Sequence, residues 1–377
     1  MTTREAFIIA GQRSPLGKLG GALRAVEAHE LGAAVIGGLL SSESAGDTGI
    51  RQVIMANTCA FGNVARLATL GAGLPESVPA VTINAQCTGG LTAARMAADT
   101  VRATGAPVIA GGTESVSNAV VSLGGASPRE HPGERPLVPH APPPFEDPGM
   151  GPAAEAASQE HGLSREEQDD IALRSYCRTF AARSTGFFEP VICPLEAAGG
   201  VVDTDELPRR TPADDRLRRY PPAFAPGGVI TPGNAAPIAD GAAAVLIGDS
   251  SPPSCPAIRI VATAMAAADP ACPPLAVVPA IEQALEGAGL ARTDIDRWEI
   301  NEAFAAKLVL ASRRFGIDSD RLNVRGGAIA FGHPFAASGA MLLVHLAAEL
   351  RTTGVRYGLA AIAGAGGLGE AMVLEQC

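Results

Sequence analysis

The chain has 377 residues, enough at roughly 150 residues per domain for two or three domains, each burying its own core. Hydrophobic residues make up 47% against 18% charged and 4% aromatic, with 44 Gly and 30 Pro, an Ala- and Gly-rich α/β composition too apolar for disorder. No stretch approaches the roughly 20 apolar residues of a membrane span. A net charge of −10 argues against a nucleic-acid surface, and the start MTTREAFIIAG lacks signal-peptide and transit-peptide features, so a cytoplasmic protein is expected.

Residues 5 to 11 predict a buried strand, followed by a helix over 26 to 40, a short strand over 51 to 55 and a helix over 63 to 72. A strand over 80 to 84 leads into Gln86-Cys87-Thr88-Gly89-Gly90, and the spacing of Leu91, Ala94, Ala98 and Val101 predicts a helix over 88 to 103. A strand over 107 to 110 is closed by Gly111-Gly112. From about 118 to 226 the chain is rich in Pro, Gly and charge and reads as an insertion. Its one clear helix, 164 to 184, opens on the capping-box pattern Ser164-Arg165-Glu166-Glu167. Regular structure resumes with a strand at 241 to 247. The rest repeats the first half: strand 257 to 262, helix 275 to 289, strand 298 to 300, helix from Glu302, a glycine-rich turn, helix 337 to 350 and strand 359 to 362. The domains are therefore expected at 1–117 with 227–250, at 118–226, and at 251–377.

The seven cysteines, at 59, 87, 177, 193, 255, 272 and 377, are scattered and never in a CxxC pair, so neither a disulfide framework nor a zinc site is expected. Cys87 stands out because it sits where a strand becomes a helix, and the unpaired N–H groups of a helix N-terminus favour a thiolate. The alternative for it is a buried structural thiol. His333 ends a strand-like apolar run in Gly332-His333-Pro334, whereas His29, His131, His140, His161 and His345 read as ordinary core or surface residues. Asn301-Glu302 follows an apolar strand. Asn301 could equally cap the next helix.

In seven blocks in order, these residues resemble the thiolases, enzymes that form or cleave carbon–carbon bonds between coenzyme A thioesters. Arg13-Ser14-Pro15-Leu16-Gly17-Lys18 resembles the family's R-T-P-x-G-K turn, Asn84 to Gly90 its nucleophile segment, and Ala110-Gly111-Gly112-Thr113-Glu114-Ser115-Val116-Ser117 its A-G-G-M-E-S-M-S. Gly162-Leu163-Ser164-Arg165-Glu166-Glu167-Gln168-Asp169 is similar to G-I-S-R-E-E-Q-D; Gly233-Asn234-Ala235 with Asp240-Gly241-Ala242-Ala243, then N-E-A-F-A and G-H-P, complete the set. The resemblance implies two duplicated βαβαβαββ halves in a five-layered αβαβα arrangement with an inserted loop domain. It also implies a homodimer or homotetramer that takes coenzyme A thioesters as substrates and holds no permanent cofactor. Cys87 would carry the acyl group, and His333 would activate it or form an oxyanion hole with a water held by Asn301. Met150, Ala236, Phe304, Gly366 and Glu302 would lie at the substrate. Arg209, Arg210, Arg216, Arg218 and Arg219 could face its phosphates or simply be solvated.

The sequence also departs from that pattern. The family's last strand carries a second cysteine that removes the α-proton of the second acyl group; aligned on Gly366-Gly367-Leu368-Gly369, that position is Ala363. The other place for such a base, in the N-E-A-F block, holds Ala303. Cys377, on an expected edge strand, lies too far along to replace it. Gly149 precedes Met150 where the family often has His, Ala236 stands for a pantetheine-contacting Ser, and Ala336 for a Gly. The expected activity is acyl transfer from an acyl-CoA through Cys87 to a carbon nucleophile, by Claisen condensation or its thiolytic reverse. Decarboxylative condensation, a heteroatom acceptor, and a non-catalytic acyl-CoA-binding paralogue are the alternatives.

Overall fold

The structure, a computed structural model, describes residues 4–42, 49–119, 139–208, 214–250 and 256–377. The first half runs through β1 (Phe7–Arg13), β2 (Gly17–Lys18), α1 (Ala28–Leu40), β3 (Gln52–Ala56), α2 (Val64–Gly71), β4 (Ala80–Ile83), α3 (Gly89–Thr104) and β5 (Val108–Glu114). The intervening segment forms α4 (Met150–Glu160), α5 (Arg165–Ser184), the hairpin β6 (Leu195–Ala197) and β7 (Gly200–Val202), and α6 (Asp214–Arg218) before β8 (Ala239–Gly248). The remainder is β9 (Ile258–Ala267), α7 (Val277–Ala288), β10 (Arg297–Ile300), α8 (Ala305–Phe315), α9 (Ala328–Phe331), α10 (Ser338–Thr353), β11 (Tyr357–Gly364) and β12 (Leu368–Gln376).

The main sheet has the order β10-β11-β12-β9-β1-β8-β5-β3-β4. In one half β3 pairs in parallel with β4 and β5, and β8 pairs antiparallel with β5 and β1. In the other, β10 is parallel to β11, and β12 is antiparallel to β11 and β9. The counterpart of β4 is reduced to one parallel bridge between Trp298 and Leu322. The halves are therefore duplicates in topology. They are also continuous, because Phe7 and Ile8 pair with Arg259 and Ile258.

Helices α1 and α2 cover the outer face of the first half, α7 and α8 that of the second, and α3 and α10 lie between, touching strands of both. Strands packed between two helix layers are buried on both faces and read as unbroken apolar runs. All ten residues of β8, ADGAAAVLIG, are buried. The central helices cross almost backbone to backbone: a Cβ on Gly90 would lie 2.6 Å from the Ala340 nitrogen, and one on Gly339 2.4 Å from the Leu91 nitrogen. This close crossing is one physical reason for the Gly- and Ala-rich composition. Among the described residues no helix is long and apolar enough to cross a membrane.

Several elements differ from expectation. The strand expected to stop before Gly111-Gly112 continues to Glu114, because those glycines admit close neighbours; a Cβ on Gly112 would fall 2.2 Å from the Ala336 carbonyl oxygen. The helix expected from Glu302 begins at Ala305, with Phe304 as its cap residue, so Asn301 is not a helix cap. The strand-like run before His333 makes the short helix α9: it is buried all round, and a fully buried run shows no period. The strand ending at Gln376, expected at an edge, is interior to the sheet between β11 and β9. Cys255, Arg209 and Arg210 lie outside the described residues, and the other six cysteines are unpaired.

Candidate active site

Cys87 sits in a tight turn between β4 and α3. Asn84 Oδ1 accepts from the Gln86 amide at 3.1 Å, Thr88 Oγ1 donates to the Ala85 carbonyl at 2.7 Å, and Gln86 takes φ +52° between them. The thiol is 9% exposed. Burial pushes its pKa up to about 11, against the opposing charge of Lys307 and the N–H groups of Cys87 and Ala365 that face the sulfur. The helix terminus was expected to favour a thiolate; the N–H groups do act in that direction, but desolvation outweighs them and favours the thiol. Burial and Glu114 drive the thiol of Cys59 higher still.

His333 approaches from the second half. Its amide donates to the Pro237 carbonyl at 2.8 Å, and its Nδ1 shares a 2.6 Å hydrogen bond with Ser338 Oγ at the start of α10. The Phe335 ring stands edge-on to the imidazole at 5.5 Å. Nε2 is buried and has no hydrogen-bond partner among the described residues. Burial, reinforced by the Lys307 charge, pulls the imidazole pKa down to about 3, so the ring is neutral at working pH. Asn301, at the end of β10, is 2% exposed; its amide donates to Ala361 on β11 at 2.9 Å, and its Nδ2 likewise has no partner among the described residues.

The segments carrying these residues meet through backbone contacts. A Cβ on Gly89 would touch Ala336 at 3.7 Å, and one on Gly364 would lie 3.3 Å from the Cys87 nitrogen. Glu114, fully buried at the end of β5, accepts from Asn57 Nδ2, the amides of Thr58 and Cys59, Thr58 Oγ1 and the Ala336 amide. It thereby ties the His333 loop to the first half.

Ala236 donates its amide to Ala303 at 3.0 Å, and Ala235 bridges Phe304, so these two segments lie side by side. Phe304 meets Phe224 edge-on at 6.1 Å, and Phe224 packs on Gly151, next to Met150 at the start of α4. Gly366 takes φ +75° in the turn after β11 and passes 3.0 Å, measured from an added Cβ, from the His140 carbonyl; it is the neighbouring Ala365 whose N–H faces Cys87. Glu302 turns inward, accepting from Ser175 Oγ at 2.5 Å, Asn323 Nδ2 at 2.8 Å and the Ile329 amide at 3.1 Å. Gly149 takes φ +78° and ψ 161°, a conformation open to glycine. Ala363 is 2% exposed on β11, opposite Gly369. Arg218 pairs with Glu166 at 3.6 Å and Arg219 with Asp215 at 2.8 Å.

Four residues at the site escaped sequence reasoning: Glu114, Ser338, Ala365 and Lys307. Lys307 is 2% exposed in the first turn of α8, and its Nζ has no hydrogen-bond partner among the described residues. The available signal was its place in Ala305-Ala306-Lys307-Leu308-Val309-Leu310-Ala311, a single cation in an otherwise apolar helix start.

Comparison with known proteins identifies the family. Residues 6–251 match the family model for the thiolase N-terminal domain and residues 255–376 that for the thiolase C-terminal domain. The chain is 38% identical to an acetyl-CoA acetyltransferase of Allochromatium vinosum, covering 98% of each, and 40% identical to the 3-oxoadipyl-CoA/3-oxo-5,6-dehydrosuberyl-CoA thiolase of Escherichia coli, covering 99% of this chain and 100% of that one. Among solved structures it is similar to the human mitochondrial 3-ketoacyl-CoA thiolase in complex with CoA, with a TM-score of 0.87 and 31% identity over 100% of this chain and 98% of that one. Two matched domains spanning nearly the whole chain, together with these relatives, place it in the thiolase family as an acyltransferase enzyme.

Proposed function

We propose that this acyltransferase takes an acyl group from an acyl-CoA onto Cys87 as a thioester and passes it to a carbon nucleophile, or runs the same steps in reverse by thiolysis. The CoA-bound human neighbour and the relatives' names support an acyl-CoA substrate. The observation that carries the reading is a buried Cys87 thiol, in a turn packed against the Ala336 and Gly364 segments, together with two buried side-chain nitrogens, Asn301 Nδ2 and His333 Nε2, that have no partner among the described residues. Such groups are costly to bury and are retained where a ligand completes them.

In the acylation step the Cys87 sulfur attacks the thioester carbonyl, neutral His333 takes its proton at Nε2, and that proton passes to the departing CoA sulfur. Ser338 holds the ring through Nδ1. Asn301 and the N–H groups of Cys87 and Ala365 are placed to meet negative charge as it develops on oxygen or sulfur. Phe304, Phe224 and the start of α4 would wall the pantetheine path beside Ala236, while Glu302 holds the turn at Gly327 to Ile329 in place.

Mass spectrometry of the intact protein after incubation with acetyl-CoA and longer acyl-CoAs tests this. An adduct of acyl mass is expected on the wild type and not on Cys87→Ala. No adduct would leave only an acyl-CoA-binding role, and an adduct without any carbon–carbon product would point to a heteroatom acceptor.

A further inference from the structure

Condensation needs a group that removes a proton from the carbon of the second acyl-CoA. Ala363, aligned with the cysteine that would do so by resemblance, carries no such group, and Ala303 does not supply it either. Lys307 is close enough to Cys87 for the two to act on each other electrostatically. It is the third residue of α8, it is 2% exposed, and its Nζ has no hydrogen-bond partner among the described residues. Among the described residues, Cys87, Glu302 and His333 are the titratable groups that interact with it electrostatically. Glu302 does not neutralise it by contact, since its oxygens are held by Ser175, Asn323 and the Ile329 amide. Lysines are normally paired when buried, and one left unpaired beside a nucleophile is a candidate for proton transfer.

We infer that Lys307 is the catalytic base for the acyl acceptor. The neutral amine takes the α-proton of the second acyl-CoA, and the electron pair released forms the new carbon–carbon bond to the Cys87 thioester carbonyl. The tetrahedral intermediate collapses with cleavage of the carbon–sulfur bond, and the Lys307 ammonium returns the proton to the Cys87 sulfur. The carbon–carbon step rests on Cys87 carrying the acyl group as proposed above, whereas removal of the α-proton by Lys307 does not. Burial pulls the Lys307 pKa down to about 8, opposed by Cys87 and Glu302, so about a tenth of it is free amine at pH 7 and the fraction grows as pH rises through 8.

The test compares the wild type with Lys307→Met and Lys307→Arg in three measurements. These are acylation of Cys87 by acetyl-CoA, entry of deuterium into the acetyl-CoA methyl group in D2O, and condensation rate against pH. Both variants should lose deuterium entry and condensation by about 10²–10⁴-fold, while acylation falls by about tenfold at most. In the wild type, condensation should rise with pH through a limb near 8, which both variants lack. Lys307→Met removes an unpaired buried cation, so its thermal midpoint should not drop, and Ala363→Cys in that background should restore deuterium entry. Deuterium entry retained in Lys307→Met, or absent from the wild type, would overturn the inference. So would loss of acylation in parallel with exchange in both variants, which would make Lys307 a positioning residue for Cys87. A missing Cys87 adduct with Lys307-dependent exchange would sink only the acyl-enzyme reading.

Discussion

At the scale of single residues, the proposed chemistry rests on side chains whose ordinary charge states are altered by burial. Burial raises the pKa of the Cys87 thiol and lowers that of the His333 imidazole, so the resting groups are thiol and neutral ring, and in the proposed acylation the ring must be oriented to accept a proton. That orientation comes from the 2.6 Å bond between Nδ1 and Ser338 Oγ. Ser338→Ala should leave the fold intact and slow Cys87 acylation by about threefold to tenfold, the worth of one net hydrogen bond, as read in rapid-quench mass spectrometry. An unchanged acylation rate would show that packing against Phe335 alone fixes the ring. Cys87, His333 and Asn301 were legible in the sequence because each sits beside a glycine, a proline or a strand end that marks a turn. Lys307 was not, because a lysine in a helix normally extends to solvent, and only the long-range packing of α8 buries it.

At the scale of elements, positions follow from how closely backbones approach. The sequence places most strands and helices of the two halves, but not β2, nor α4, α6 and the β6–β7 hairpin of the intervening segment; it reads α9 as strand-like, starts α8 three residues early, and reads glycine as a stop within β5. Gly112 lies inside β5 because the Ala336 carbonyl occupies the space a side chain would need, and this contact sets the His333 loop against the strand that ends in Glu114. Gly112→Ala puts a Cβ 2.2 Å from that backbone oxygen, which no rotamer change relieves. It should destabilise the protein by about 1–3 kcal/mol in urea unfolding and lower activity as the loop shifts. Gly37→Ala is the control: it lies in α1 with nothing within 4 Å of the added Cβ, and should stabilise by about 0.5–1 kcal/mol. Equal behaviour of the two would contradict the close-approach account.

At the scale of the whole molecule, two topological halves and an intervening segment must hold one register for residues from 87, 301 and 333 to meet. The duplication was visible in the sequence as a second half that repeats the first half's order of strands and helices, whereas the ties between parts were not, since they join positions far apart in the chain. Arg13 at the end of β1 is one such tie and is fully buried. Its Nη1 and Nη2 donate to Asp205 of the intervening segment at 2.6 and 2.9 Å, and its Nε donates to His345 on α10 at 2.9 Å. Burial and the Arg13 charge hold His345 well below its usual pKa, so it stays neutral and accepts that bond. Asp205 also accepts from the Leu16 amide at 2.9 Å. Asp205→Asn keeps the volume but removes the charge facing Arg13, and breaking a buried pair from one side costs about 3–5 kcal/mol. The urea midpoint should fall accordingly. Arg13→Met with Asp205→Leu replaces both charges by apolar groups and should cost less than the sum of the two single substitutions, although His345 then loses its donor. If Asp205→Asn unfolded at the wild-type midpoint, the Arg13 tie would not hold the three parts together, and their common register would have to come from the apolar contacts of α3 and α10 alone.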